Sequence, residues 1–238
     1  VACFFTGDEL VMPGQPLPAG GIYNSNRFVL NALLRRLGCE VLDLGIIPDS
    51  REATRQALRE AAEGADLIIS AGGVSVGEED HVRPAVEAEG QIDLWRVAIK
   101  PGRPLAYGRV GRHGPEGARA AVPGSFAHFI GLPRNPVSAY VTFLLFVRPF
   151  VLRLQGIQAV EPQAVTLISG FDWTNPDRRR EFLRAVHLPD GRLGLFRQQG
   201  SAVLTSAVVG HGLIDNPPGQ TIRQGDAVRF LSFAELLN

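Results

Sequence analysis

The chain has 238 residues, 24 basic and 24 acidic, and no formal net charge at pH 7. With 45% hydrophobic and 20% charged residues it can bury a sizeable core, which excludes disorder for the bulk of the chain. Zero net charge gives no support for a nucleic-acid surface, local patches aside, and two cysteines, Cys3 and Cys39, supply neither a disulfide framework nor a four-cysteine zinc site. Both cysteines lie in apolar, strand-like runs, so buried inert thiols and a reducing cytoplasm are expected. The apolar run Val137–Val147 is interrupted by Arg148 and is too short to span a bilayer, so no membrane segment is expected.

The first part of the chain alternates strand and helix. Val1–Phe5 reads as a strand that stops at Thr6-Gly7-Asp8-Glu9. A chain starting inside a strand suggests a fragment of a longer protein. Asn24-Ser25-Asn26 offers caps to a helix whose apolar residues, from Phe28 to Leu37, recur at helical spacing; Gly38 ends it. Glu40–Ile47 is a second strand, followed by a helix through Ala61 for which Asp49 and Glu52 form a capping box. Asp66–Ala71 is a third strand, stopping at Gly72-Gly73-Val74-Ser75-Val76-Gly77. A helix over Val82–Glu89 leads to a fourth strand, Leu94–Ile99, ending at Lys100-Pro101-Gly102-Arg103. This rhythm predicts an α/β fold, a mainly parallel sheet with helices on both faces.

Pro104–Val110 and Ala127–Leu132 then suggest a hairpin around a Gly- and Pro-rich loop, Gly111–Gly124, expected to be mobile. Asn135-Pro136 opens a long apolar helix to about Leu154, with Asn as N-cap and Pro at its first position. Phe143, Phe146 and Phe150 read as core. After a linker the period changes to that of strands, at Val165–Ser169, Glu181–Leu188, Leu193–Gln198 and Ala227–Phe233, with Asp190-Gly191 as a hairpin turn. The expected organisation is therefore an α/β domain over 1–155 and a small β domain over 160–238.

Ligands of a parallel sheet bind beyond the carboxyl ends of its strands, and each loop there carries polar chemistry. The loops offer Thr6, Gly7, Asp8 and Glu9; Asp49; the glycine loop with Glu78, Glu79 and Asp80; and Lys100 with Arg103. The glycine loop suits an anion, because backbone N–H groups can approach a phosphate closely, although a tight structural turn explains it almost as well. It is neither a P-loop nor the dinucleotide fingerprint. Carboxylates beside an anion repel it, so several of them suggest a divalent cation, most simply Mg²⁺, with Lys100 and Arg103 balancing the remaining charge. Lys100 is the one lysine among 24 basic residues, and ammonium is not interchangeable with guanidinium at a fitted site. For Asp49 alone, helix capping is the better single explanation. The five histidines are scattered, and Arg178-Arg179-Arg180 reads as a solvated turn.

Five motifs in order resemble the MoeA family of molybdopterin molybdenumtransferases, whose animal relative is the E domain of gephyrin. They are Phe5-Thr6-Gly7-Asp8-Glu9-Leu10, Gly45-Ile46-Ile47-Pro48-Asp49, Ser70 through Asp80, Ile99-Lys100-Pro101-Gly102-Arg103-Pro104 and Gly131-Leu132-Pro133-Arg134-Asn135-Pro136-Val137-Ser138. The resemblance implies a MoaB/MogA-like molybdopterin-binding fold followed by a small C-terminal β-barrel. It implies that adenylylated molybdopterin and molybdate are the substrates, that AMP leaves with the help of Mg²⁺, and that molybdenum stays on the pterin dithiolene. Glu9, Asp49 and Asp80 match acids of that active site, Asp49 and Asp80 as metal ligands. Thr6, Gly7, Asp8, Gly72, Gly73, Ser75, Gly77, Lys100, Arg103, Pro133, Asn135, Pro136 and Ser138 match substrate-binding positions. A cytoplasmic homodimer is implied, its cleft completed by an N-terminal domain of the partner subunit, with transient contacts to molybdoenzymes or the adenylylating enzyme. The resemblance implies two further N-terminal domains that would precede Val1, and Arg134 stands where the family usually has glycine. A molybdopterin adenylyltransferase is one alternative, which the β domain opposes; a non-enzymatic molybdopterin-binding or scaffold module is the other.

Overall fold

The computed structural model describes residues 1–74, 81–112 and 125–237. Much of the expected loop at Gly111–Gly124, together with Ser75, Gly77, Glu78, Glu79 and Asp80, lies outside the described residues. In chain order the strands are β1 (Ala2–Thr6), β2 (Leu10–Val11), β3 (Ile22–Tyr23), β4 (Leu42–Ile47), β5 (Leu67–Ala71), β6 (Gly90–Trp95), β7 (Ile99–Lys100), β8 (Ala106–Gly111), β9 (Phe126–Leu132), β10 (Val165–Ile168), β11 (Arg180–His187), β12 (Leu193–Leu195), β13 (Gly212–Asn216) and β14 (Ala227–Ser232). The helices are α1 (Ser25–Arg36), α2 (Arg51–Gly64), α3 (Val82–Glu89), α4 (Pro136–Thr142), α5 (Arg148–Leu154), α6 (Thr205–Val209) and α7 (Phe233–Leu237). They form two compact units: Val1–Arg96 with Pro104–Arg134, and Val97–Arg103 with Asn135–Asn238.

The first unit is built on the sheet β4-β1-β5-β9-β8-β6. β1 pairs in parallel with β4 and β5, and β5 in parallel with β9. β1 is buried along its whole length, as its unbroken apolar run requires. Successive side chains of a strand point to opposite faces. Ala2 and Phe4 accordingly join a core with Leu58, Ala61 and Ala62 of α2, Val82, Ala85 and Val86 of α3, and Phe129 of β9. Cys3 and Phe5 are buried on the other face. α2 and α3 are further tied by Glu89, whose buried carboxylate accepts from Arg55 Nε at 2.6 Å and Arg59 Nη2 at 2.8 Å.

The fourth parallel strand differs from expectation. β6 is an antiparallel edge strand on β8, and β7 belongs to the second unit, where it pairs with β11. Arg96 interrupts the run with φ +85°, a left-handed conformation that an extended strand cannot pass through. The parallel place beside β5 is taken by β9, the second arm of the β8–β9 hairpin.

In the second unit, α4 passes through a π-helical turn, Phe143–Val147, into α5. The Arg148 N–H donates to the Phe143 carbonyl, one residue further back than in an α-helix. Pro149 explains the widening: it has no N–H for the preceding turn, and its ring would crowd the carbonyl there. The helix from Pro136 to Leu154 has 19 residues and a mean hydropathy of 1.6, but two thirds of it is buried, as in a core helix. Phe143 is core, whereas Phe146 and Phe150 are half-buried and line an open groove of about 580 Å³.

The β part of this unit is the sheet β10-β14-β13-β11-β12. Ser169, just past β10, bridges Leu193 of β12, which joins the two edges. Leu183, Ala185, Ile214, Val228 and Phe230 fill its core. The hairpin turn at Asp190-Gly191 forms as its sequence predicts, with Gly191 at φ +83°. β13 escaped the sequence reading because its run, Gly-Leu-Ile-Asp-Asn, ends in polar side chains that are nonetheless buried here. Two of the three arginines are spent on ion pairs: Arg179 meets Asp177 at 2.8 Å, and Arg180 meets Asp215 at 2.6 Å, while Arg178 is exposed.

Candidate functional site

The strand order of the first sheet reverses at β1. The connection through α1 carries the chain from β1 to β4 on one side, and the connection through α2 carries it back to β5 on the other. Open α/β sheets bind ligands beyond the carboxyl ends of strands at such a point. Here those ends are Thr6-Gly7-Asp8-Glu9 and Gly72-Gly73-Val74.

The two loops are packed on each other. Gly72 and Gly73 have φ of +113° and +62°. A Cβ on Gly72 would strike the Thr6 carbonyl oxygen, and one on Gly73 would strike the Val82 side chain and lie 3.1 Å from Thr6 Oγ1. Only glycine satisfies both conditions, which is a sharper reason for these residues than anion binding alone. The Gly72 N–H is already given to the Leu132 carbonyl at 3.2 Å. Beneath the turn, Thr6 and Ser70 are fully buried, and neither hydroxyl has a hydrogen-bond partner among the described residues. A buried polar group left unmade costs about 1–3 kcal/mol, so these two hydroxyls mark a place where the fold has not optimised its own stability.

Beside the turn stands a charged trio. Arg134 Nη1 is 2.8 Å from Glu9 Oε1, and Nη2 is 3.7 Å from Asp49 Oδ2. The Arg134 carbonyl accepts from Asn26 Nδ2 of α1 at 2.8 Å. Glu9 folds back over its own loop, so that a Cβ on Gly7 (φ +142°) would lie 2.7 Å from Glu9 Oε2. Asp8 is exposed. Asp49 is not a cap: Ser50 is the N-cap of α2, its hydroxyl accepting from the Ala53 N–H at 3.3 Å. Relieved of capping, Asp49 keeps Oδ1 buried and, among the described residues, without a partner. Burial pushes its carboxyl above the usual range; Arg134 and His81 oppose the rise, and Asp8 and Glu9 add to it.

The remaining predicted residues fall elsewhere or have other partners. Pro133 belongs to the first unit with Arg134, whereas Lys100, Arg103, Asn135, Pro136 and Ser138 belong to the second. Lys100 Nζ lies 3.3 Å from Glu181 Oε1 and 3.4 Å from Asp177 Oδ2. Glu181 also accepts from Trp173 Nε1 at 2.8 Å. The lone lysine thus has a structural occupation in its own unit. Arg103 is exposed. Asn135 is the N-cap of α4 by position, but its side chain donates to Ser201 Oγ at 3.1 Å instead of capping. Among the described residues no group of three or more His, Cys, Asp or Glu side chains is placed to hold a metal ion. The sequence reading missed Arg134 as a site charge, because a side chain between two prolines carries no periodicity from which its partners can be inferred.

Residues 2–153 match the family described as a probable molybdopterin binding domain, and residues 166–233 match the MoeA C-terminal region, domain IV. The chain is 46% identical over 156 residues to a molybdopterin molybdenumtransferase of Haemophilus influenzae, covering 66% of this chain and 35% of the relative. It is 35% identical over 205 residues to one from Nostoc, covering 84% of this chain and 44% of the relative. A crystal structure of the molybdopterin biosynthesis MoeA protein of Pyrococcus horikoshii superposes with a TM-score of 0.77 at 25% identity, covering 98% of this chain and 54% of that one. The chain thus spans between about a third and a half of the curated relatives it matches.

Proposed function

The chain belongs to the MoeA-type molybdopterin molybdenumtransferases, and we propose that it carries their pterin-handling region. In this reading it binds adenylylated molybdopterin and molybdate, molybdenum is left on the pterin dithiolene, and AMP is released. The observation that carries the reading is the glycine turn at the strand-order reversal, set over the unpartnered hydroxyls of Thr6 and Ser70 and beside the Glu9–Arg134–Asp49 trio.

The residues divide the work by their chemistry. Gly72 and Gly73, with Ser75 and Gly77, take the phosphate side of the pterin, the hydroxyl of Thr6 supporting that turn from below. Pro133, in the same unit as the glycine turn, lines the approach. Glu9, Asp49 and Asp80 are the acids of the reaction. Carboxylate oxygens are the donors Mg²⁺ takes, and the buried, unpartnered Oδ1 of Asp49 is an oxygen of that kind, so Asp49 and Asp80 would hold the ion. Bound there, Mg²⁺ would neutralise charge on the phosphate oxygens as the adenylate is cleaved. The same reading places the protein in the cytoplasm as a homodimer whose cleft a partner subunit completes, in transient contact with the adenylylating enzyme or with molybdoenzymes.

Pterin fluorescence titration tests the binding role. The chain is expected to bind molybdopterin or its adenylate saturably but to turn over poorly, since the family's cleft draws on domains outside this region. In the full-length enzyme, Asp49→Ala is expected to leave pterin affinity within about twofold while lowering molybdate-dependent AMP release about tenfold or more, because an acid holding a cation acts on charge that develops during cleavage. Absence of saturable binding of either compound refutes the reading.

A further inference from the structure

We propose that Arg134 is a tethered cation that latches the acid pair, so that a divalent ion enters only by displacing it. The inference rests on the reading of Asp49 as a metal ligand. One guanidinium spans carboxylates from the ends of two different strands, Glu9 beyond β1 at 2.8 Å and Asp49 beyond β4 at 3.7 Å. Its planar fork suits this bridging, with one nitrogen for each carboxylate. The backbone beneath it is fixed. Pro133 restricts the chain on one side, and buried Asn26 of α1 grips the Arg134 carbonyl at 2.8 Å. The side chain is therefore delivered to the acids by the fold.

Without a cation the Glu9 and Asp49 carboxylates would repel each other, and Arg134 supplies one positive charge at the position where a divalent ion would supply two. The two cannot be there together. Mg²⁺ demands its oxygens at close to 2 Å in a fixed octahedron, and a guanidinium 2.8 Å from Glu9 already occupies that carboxylate and repels the incoming ion. Asp49 Oδ1 takes no part in this ion pair: it is buried and, among the described residues, has no hydrogen-bond partner. The side chain of Arg134 is 44% exposed, so it has solvent to swing into, and the same exposure limits the strength of the latch by screening.

The test uses Mn²⁺ as the probe, without pterin, titrated into the chain and read by the electron paramagnetic resonance signal of the free ion. Arg134→Gly and Arg134→Met remove the guanidinium, the second without adding backbone freedom. Both are expected to bind Mn²⁺ about tenfold more tightly than the parent, a difference that Asp49→Asn in the same backgrounds abolishes. Arg134→Lys keeps the charge but loses the fork, and is expected to fall between. Circular dichroism melts verify that each variant is folded, and should both neutral variants fail to fold, the lysine variant decides. Equal Kd values for the parent and the folded variants, with binding still dependent on Asp49, would overturn the latch and leave the metal site standing. No Asp49-dependent Mn²⁺ binding in any of them would remove the metal site and the latch together.

Discussion

Gly72→Ala tests the packing that forms the proposed binding turn. The substitution meets two separate costs. An L-residue at φ +113° is strained by about 1–2 kcal/mol. The new Cβ also strikes the Thr6 carbonyl oxygen, and Thr6 cannot retreat, because β1 is paired with β4 on one side and β5 on the other. Overpacking against an immovable neighbour adds about 1–3 kcal/mol, for a total of roughly 2–5 kcal/mol. Gly20→Ala is the control: φ there is +82°, and nothing lies within 4 Å of the added Cβ, so only the backbone cost of about 1 kcal/mol remains. Urea unfolding followed by tryptophan fluorescence reads both, since Trp95 lies in the same unit as the two glycines and packs against its core. If the two variants lose the same stability, close approach of the glycine turn to β1 is not what requires glycine, and the packing argument fails.

Asp49→Asn is expected to raise the melting temperature at pH 7. The folded-state pKa lies above 3.8, so ionisation costs stability; the favourable contribution is complete below 3.8 and lost as pH rises through the raised value. Melts across that window should show the advantage of the variant shrinking towards acid pH, and a lower melting temperature than the parent at pH 7 would contradict the burial argument. Glu89→Ala leaves Arg55 and Arg59 without their shared carboxylate, and because both are about a third exposed the loss should be roughly 2–3 kcal/mol rather than the full cost of a stranded buried charge; a loss under 0.5 kcal/mol in urea unfolding would show that the cluster is only geometric. Burial pushes the Cys3 thiol up to about 12, so a thiol reagent at pH 8 should reach only the half-buried Cys39 in the native protein and both cysteines in denaturant; rapid native labelling of Cys3 would show that β1 opens.

Much of the architecture follows from local sequence. The strand–helix alternation, the cap at Asn24, the Asp190-Gly191 turn and the change of period after residue 160 each depend on neighbours within a few residues, and such interactions are written in the order of the chain. The positions of Glu9, Asp49, Gly72 and Gly73 just beyond strands were equally legible, since the apolar runs before them mark where each strand stops. The errors have a common physical origin. Leu94–Ile99 has the apolarity of a central strand, but Arg96 at φ +85° breaks it, and the hairpin arm β9 takes the place beside β5. Asp49 and Ser50 are both good caps, and the local pattern cannot rank them; the orientation of α2 chose Ser50 and left the carboxylate to Arg134. Lys100 looked like a site charge until β7 joined β11 and brought it to Glu181, 81 residues away. Arg134 reaches Glu9 and Asp49 across 125 and 85 residues. Pairings at such separations are set by which strands lie side by side, and sheet order is decided by the burial of all the elements together, so only the tertiary structure could assign these charges their partners.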